Sequence, residues 1–214
     1  MSLIGHRVNP CPPLADVAII EAFKRVVTPH ISDNLARHIG VRGLTRMNTK
    51  GKLVGTALTI KTRPGDNLYI YKALPLIRPG HVLVIDAQGD TNNAVIGELI
   101  KLYAESKGCV GYVVDGAIRD VAAFDATPLY ARAVTHCGPY KSGPGEINVP
   151  VSIGGQIISP GDIIVGDEDG VVSFPQADAV QILKLAQAHE ALEERVKAEI
   201  ASGSEAQSWL DKYL

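Results

Sequence analysis

Two short stretches of this chain carry residues from which chemistry could be built. The first is Gly97-Glu98-Leu99-Ile100, and the second is Arg119-Asp120, with twenty residues between Glu98 and Arg119. The spacing predicts a helix that begins near Gly97. The free N–H groups of a helix start attract an anion, and a glycine there lets the ligand come close. Arg119-Asp120 follows the apolar run Cys109–Asp115 and Gly116, so the pair falls just beyond the end of a strand. In open α/β sheets ligands gather at that edge. A plainer reading stands beside this one: Glu98 complements a helix dipole, and Arg119-Asp120 is a surface ion pair.

Other chemistries find little support. There is no Gly-x-Ser-x-Gly, no phosphate-loop sequence, no His-Glu-x-x-His, and no Gly-x-Gly-x-x-Gly after an early strand. The six histidines do not stand at metal-ligand spacing, and the three cysteines, Cys11, Cys109 and Cys137, are far apart. With 21 Lys+Arg against 23 Asp+Glu and no basic cluster, nucleic-acid binding is not expected. No apolar run approaches the ~18 residues of a spanning helix, and the first residues lack the order of a signal peptide, so a cytoplasmic protein without membrane contact is expected.

The elements that must position these residues can be read from 214 residues, 46% of them hydrophobic, punctuated by 21 Gly and 13 Pro. A helix is expected over Ala15–Val27, stopping before Pro29, and Ser32-Asp33-Asn34 offers N-cap chemistry for a short helix ending near Gly40. Strands are expected at Val54–Thr62, His81–Ile85 and Cys109–Asp115, with helices over Leu68–Leu74 and from a start between Asn93 and Gly97 to Lys107. Gly116 reads as a break, and Arg119–Phe124 as a helical turn. After Pro128 the chain reads as short strands: Leu129–Thr135, Val149–Ile153, Gln156–Ile158, Ile163–Val165 and Val171–Phe174. A second sheet packed on an α/β layer in one domain over 1–214, with a core of about 15–175, fits this order. The remainder, about 176–214, is a helical extension. Its helix, about Gln176–Ala201, places Val180, Leu183, Ala191, Leu192, Val196 and Ile200 towards one side and extends beyond its own core, where it can meet a neighbouring subunit.

Several residues have two readings. Asp66 and Asn67 either border a site or serve the Pro64–Asn67 turn and cap the next helix. Lys141, Glu146 and Asn148 lie in a Gly-rich loop that could reach a ligand. Asp167-Glu168-Asp169-Gly170 lacks the full ligand series of a calcium loop and reads as a turn between strands. Tyr71 and Lys72 follow Asn67 on a helix where exposure is ordinary.

The acidic-x20-Arg-Asp order within Val113-Val114-Asp115-Gly116-Ala117-Ile118-Arg119-Asp120 resembles a signature shared by the regulator of ribonuclease activity A (RraA)-like proteins and the class II 4-hydroxy-4-methyl-2-oxoglutarate aldolases. The similarity continues through Arg63-Pro64-Gly65-Asp66-Asn67, Gly145–Val151, Pro160-Gly161-Asp162 and Asp167–Val171, most of the chain. The resemblance implies a three-layer β/β/α swivelling-type fold and a homotrimer or homohexamer with sites at subunit interfaces. It implies Mg²⁺ or Mn²⁺ held by Asp120 with waters completing the shell. Gly97, Glu98, Leu99 and Ile100 would bind the carboxylate of a 2-oxo acid, with Asn67 at the border. Arg119 would contact the keto oxygen, and Glu98 would orient a water. Family members commonly have Asp at position 98. The activity implied is cleavage of a 4-hydroxy-2-oxo acid to pyruvate, with decarboxylation of oxaloacetate. A carboxylate from a neighbour's C-terminal helix, Glu193 or Glu194, helps in some members. The alternative implied is a non-catalytic regulator of an endoribonuclease, although the best-known regulators lose the Asp that follows the Arg.

Overall fold

A computed structural model describes residues 3–203 and 207–210. In chain order the elements are α1 (Val17–Phe23), α2 (Thr28–Asn34), β1 (Thr45–Arg46), β2 (Leu53–Thr62), α3 (Leu68–Ala73), β3 (His81–Asp86), β4 (Ala94–Ile96) and α4 (Glu98–Ser106). They continue with β5 (Gly111–Ile118), β6 (Leu129–Val134), β7 (Gly145–Ile147), β8 (Val151–Ile153), β9 (Gln156–Ile158), β10 (Ile163–Asp167), β11 (Gly170–Phe174) and α5 (Ala179–Ala201).

Strand β2 organises the main sheet. One edge pairs with parallel β3, while the other is shared by antiparallel β10 over Leu53–Thr56 and β7 over Ile60–Thr62. Between those two partners the edge is still occupied: Ala57 N–H donates to Asp162 O at 2.8 Å, and Asn148 N–H donates to Thr59 O at 2.8 Å. A strand hydrogen-bonded on both edges and covered on both faces is mostly apolar, and Leu53–Ile60 is buried without interruption; its two threonines are paired, Thr56 Oγ1 accepting Ala15 N–H at 3.0 Å and Thr59 Oγ1–H donating to Val149 O at 2.6 Å. The sheet runs β1-β6-β5-β3-β2-β10-β11, with β4 added beside β5.

Alternate residues of the strands serve different cores. Leu83 and Ile85 join Ile70, Ile100 and Tyr112 under α3 and α4. Val82 and Val84 face the other way, onto Tyr130, Ile153 and Ile158 beneath the β8–β9 hairpin. Helices α1, α2 and α5 cover Ile163, Val165, Val172 and Phe174 at the β10–β11 end. The result is a mixed α/β fold, with a β hairpin on one face of the sheet and helices on the other, and a long C-terminal helix.

Several expectations need correction. Among the described residues only β8 and β9 form a separate sheet; β6, β10 and β11 extend the main one. Gly116 does not break a strand, because β5 runs through it with a register shift between Val114 and Ala117. A Cβ at Gly116 would stand 2.8 Å from that of Ala87, so close approach of the neighbouring chain explains the glycine. Ser32-Asp33-Asn34 closes α2 and does not start a helix. The start of α2 is held by Asp167, whose carboxylate accepts Thr28 N–H at 2.8 Å and Thr28 Oγ1–H at 2.6 Å. On α5 the inward stripe is Ala179, Ile182 and Ala186, while Val180, Leu192 and Ile200 are exposed.

Candidate functional site

The two stretches singled out in the sequence meet because β4 and β5 are parallel neighbours ending in register. Ile96 pairs with Ile118, and the ladder continues with Arg119 N–H donating to Ile96 O at 3.0 Å. The residues that leave these strands, Gly97-Glu98 and Arg119-Asp120, therefore emerge side by side. Gly97 caps α4 with an extended backbone. A Cβ at this position would lie 2.6 Å from Asp120 Oδ2 and 2.9 Å from Arg119 Cγ, so only glycine leaves the pair where it stands.

Asp120 sits in the left-handed region at φ 53°, which turns its carboxylate back over the helix start. Its Oδ2 accepts Glu98 N–H at 3.1 Å and lies 3.7 Å from Arg119 Nε. Oδ1 accepts nothing among the described residues. The first intrahelical bond of α4 is Lys101 N–H to Gly97 O, so the amides of Leu99 and Ile100 have no helical carbonyl to reach. These amides, Arg119 and Asp120 border a small cleft that also takes in Asn67, Tyr71, Pro139 and Lys141. Asn67 is buried. Its Nδ2 donates to Val95 O at 3.1 Å, and its Oδ1 is buried without a partner.

Of the sequence-predicted residues, Gly97, Leu99, Ile100, Arg119, Asp120 and Asn67 all border this cleft. Glu98 contributes its backbone to Asp120, while its side chain is exposed and outside the lining. Ile100 offers only its amide, because its side chain is in the core. Asp66 is fully buried and holds a loop: its carboxylate accepts Leu68, Ser142 and Gly143 N–H at 2.9, 2.7 and 3.0 Å. Glu146 and Asn148 are elsewhere, tied to the N-terminal segment. Glu146 pairs with Arg7, which holds its carboxyl below the usual range, and Asn148 Nδ2 donates to Asn9 O at 3.0 Å. Tyr71 and Lys141 do reach the cleft, and Pro139 is a lining residue that carries no sequence signal.

A second cluster was not visible in the sequence. His30 of α2 meets His189 and Glu193 of α5, with ligand atoms all within 4.8 Å of one another. Hydrogen bonding from His30 holds the Glu193 carboxyl below its ordinary value. Glu193 is thus engaged within its own chain, and Glu194 pairs with Lys197 at 2.7 Å on an exposed face.

Fold and cleft together define a mixed α/β protein with a polar cleft at the carboxyl ends of parallel strands. The chain belongs to the RraA-like (Aldolase/RraA) family, whose model matches residues 28–173. It is 38% identical over 207 residues to a Halalkalibacterium halodurans protein named "Putative 4-hydroxy-4-methyl-2-oxoglutarate aldolase", covering 94% of this chain and 97% of that one. Among solved structures, an uncharacterized protein of Pseudomonas syringae superposes with a TM-score of 0.79 at 27% identity, over 90% of this chain and 96% of that one. Streptomyces coelicolor RraAS2, described as an unusual member of the RNase ES inhibitor RraA family, gives 0.79 at 28% identity, over 86% and 99%. No helix among the described residues is long and apolar enough to cross a membrane.

Proposed function

We propose that the cleft is the active site of a divalent-metal-dependent class II aldolase. It cleaves 4-hydroxy-4-methyl-2-oxoglutarate-like acids to pyruvate and decarboxylates oxaloacetate. The observation that carries this reading is Asp120: beside Arg119, half exposed, with Oδ1 free at the start of α4. One carboxylate without His or Cys nearby suits a hard cation that keeps most of its waters, so the donor set fits Mg²⁺ or Mn²⁺. When bound, the ion supplies Lewis-acid polarisation of the substrate's keto oxygen.

The chain's own residues do the rest. The Leu99 and Ile100 amides bind the carboxylate beside the keto group, and the dipole of α4 favours that charge. Asn67 borders the substrate on the cleft wall. As the C3–C4 bond breaks, its electron pair moves towards the keto oxygen and the C4 hydroxyl loses its proton to a water. The Arg119 guanidinium meets the developing charge; removing such a donor costs about 10²–10³ in rate. In oxaloacetate, CO₂ leaves instead, and the same charge develops.

We place the working enzyme in the cytoplasm as a homotrimer or homohexamer, with the open side of the cleft facing a neighbouring subunit. The test is turnover of both substrates with Mg²⁺ or Mn²⁺, before and after chelation. Activity indifferent to chelation, or kept by Asp120→Ala, overturns the proposal. A second reading, binding to an endoribonuclease, draws on the RraAS2 likeness. A stoichiometric complex with such an enzyme, together with no metal-dependent turnover, would favour it.

A further inference from the structure

The crossing of α2 and α5 holds an arrangement that the cleft does not use. His30 Nε2 stands 3.0 Å from Glu193 Oε2, and His189 Nε2 stands 3.3 Å from Glu193 Oε1. The two imidazoles stack with centroids 5.0 Å apart. Tetrahedral coordination at the ~2.0–2.1 Å bond lengths of zinc separates neighbouring ligand atoms by about 3.3 Å. Each nitrogen stands near that length from one of the two carboxylate oxygens, and one ligand atom from each of the three side chains lies within 4.8 Å of the others, so small rotations bring them around one ion.

We propose that His30, His189 and Glu193 form a binding site for a borderline-soft divalent cation, with Zn²⁺ the best match, and that the ion pins the C-terminal helix to α2. Two imidazoles and one carboxylate are the donors such an ion selects, whereas Mg²⁺ prefers an all-oxygen shell. The three side chains come from two elements that are already packed together, so binding needs little reorganisation. His30 is buried, while His189 and Glu193 border an open cleft together with Leu192 and Trp209. The ion has a way in, and its fourth position is left to water. Asn34 lies 3.3 Å from His189 Nδ1. Its Nδ2 also donates to His30 O at 2.7 Å, so this one amide touches both histidine-bearing elements. The site lies at the helical end of the fold and does not include Asp120, so it is independent of the proposed catalytic metal.

The experiment uses the full chain, stripped with a chelator and dialysed. Zn²⁺ is titrated by calorimetry, and Co²⁺ by visible absorption. The expected result is one Zn²⁺ per chain, bound at micromolar affinity or tighter. Co²⁺ should give the intense visible bands of four-coordinate ions, and Zn²⁺ should raise the Tm by about 5 °C or more. His189→Gln and Glu193→Gln should each weaken binding by at least about tenfold, and Asp120→Ala should leave it unchanged. Absence of Zn²⁺ binding overturns the proposal. So does binding that survives both variants with native circular dichroism, or a pale, six-coordinate Co²⁺ spectrum. A native Zn²⁺ affinity in a chain that lacks aldolase turnover would support this site while counting only against the reading of the cleft.

Discussion

Gly97→Ala separates the placement of the site from the stability of the fold. The backbone at Gly97 is extended, with φ −157° and ψ −167°, a conformation alanine adopts freely, so any effect comes from the new methyl. That methyl would stand 2.6 Å from Asp120 Oδ2, and ordinary contact begins near 3.4 Å. Asp120 must therefore retreat by about 0.8 Å, with Arg119 Cγ, at 2.9 Å, displaced as well. A shift of that size takes Oδ2 out of range of Glu98 N–H, now at 3.1 Å. Losing one charge-assisted hydrogen bond costs about 1.5–3 kcal/mol, and the stiffer unfolded chain offsets roughly 0.4–1 kcal/mol of it. Misplacement of reacting groups by about 1 Å costs about 10²-fold in rate. The expected variant is folded, less stable by about 0.5–2.6 kcal/mol in a denaturant titration, and about a hundredfold slower on oxaloacetate with saturating Mg²⁺. Activity within twofold of the parent would refute the claim that Asp120 and Arg119 act from the positions seen here.

Further predictions follow from groups outside the cleft. His81 is buried and neutral, its Nδ1 accepts Arg78 N–H at 3.0 Å, and burial lowers its pKa to about 4. Between pH 6.5 and 4 the unfolded chain binds the proton that the folded one refuses, so stability falls with pH by about 3 kcal/mol across that window; denaturant midpoints should show this, and His81→Gln should flatten it. Asp115 pairs with Arg132 and accepts Gly154 N–H at 3.0 Å, tying β5 and β6 to the β8–β9 turn. Asp115→Ala strands the partly buried guanidinium and should lower stability by about 3 kcal/mol in a urea titration. Asp167→Ala uncaps α2 and removes the carboxylate 3.4 Å from Lys52, which keeps only Val26 O among the described residues; a loss of about 2 kcal/mol is expected, with the amides of α2 exchanging faster than those of β3.

The parts of this fold legible in the sequence are those whose signals are local. β2, β3 and β5 announce themselves as apolar runs, and the start of α4 by its glycine. The parts that escaped depend on distant residues. The cap of α2 is a carboxylate 139 residues away, so the local cap chemistry of Ser32-Asp33-Asn34 misleads. β7 is Gly145-Glu146-Ile147, too short for any period, and exists because β2 has an edge to fill. On α5 the stripe facing α2 is Ala179, Ile182, Ala186, His189 and Glu193, at alternating steps of three and four. Its last two members are polar, so an apolar pattern drew attention to the exposed face instead. The joining of Gly97 and Arg119-Asp120 could be anticipated from the strand ends, but the missing acceptor partner of Asn67 could not.

The arrangement around β2 also governs how the chain is made. Its open edge is completed by β7 and then by β10, and Leu53 waits for Gly166, more than a hundred residues later. While the chain is being synthesised, β2 and β3 can pair early, but they present an uncovered, largely apolar edge until the segment ending at Asp167 has emerged. Contacts of such sequence separation fold slowly, and an open edge of this composition invites pairing with other chains. Translation that stalls between β7 and β10 would therefore yield aggregates, whereas a chain ending just after β11 would have every strand of its main sheet.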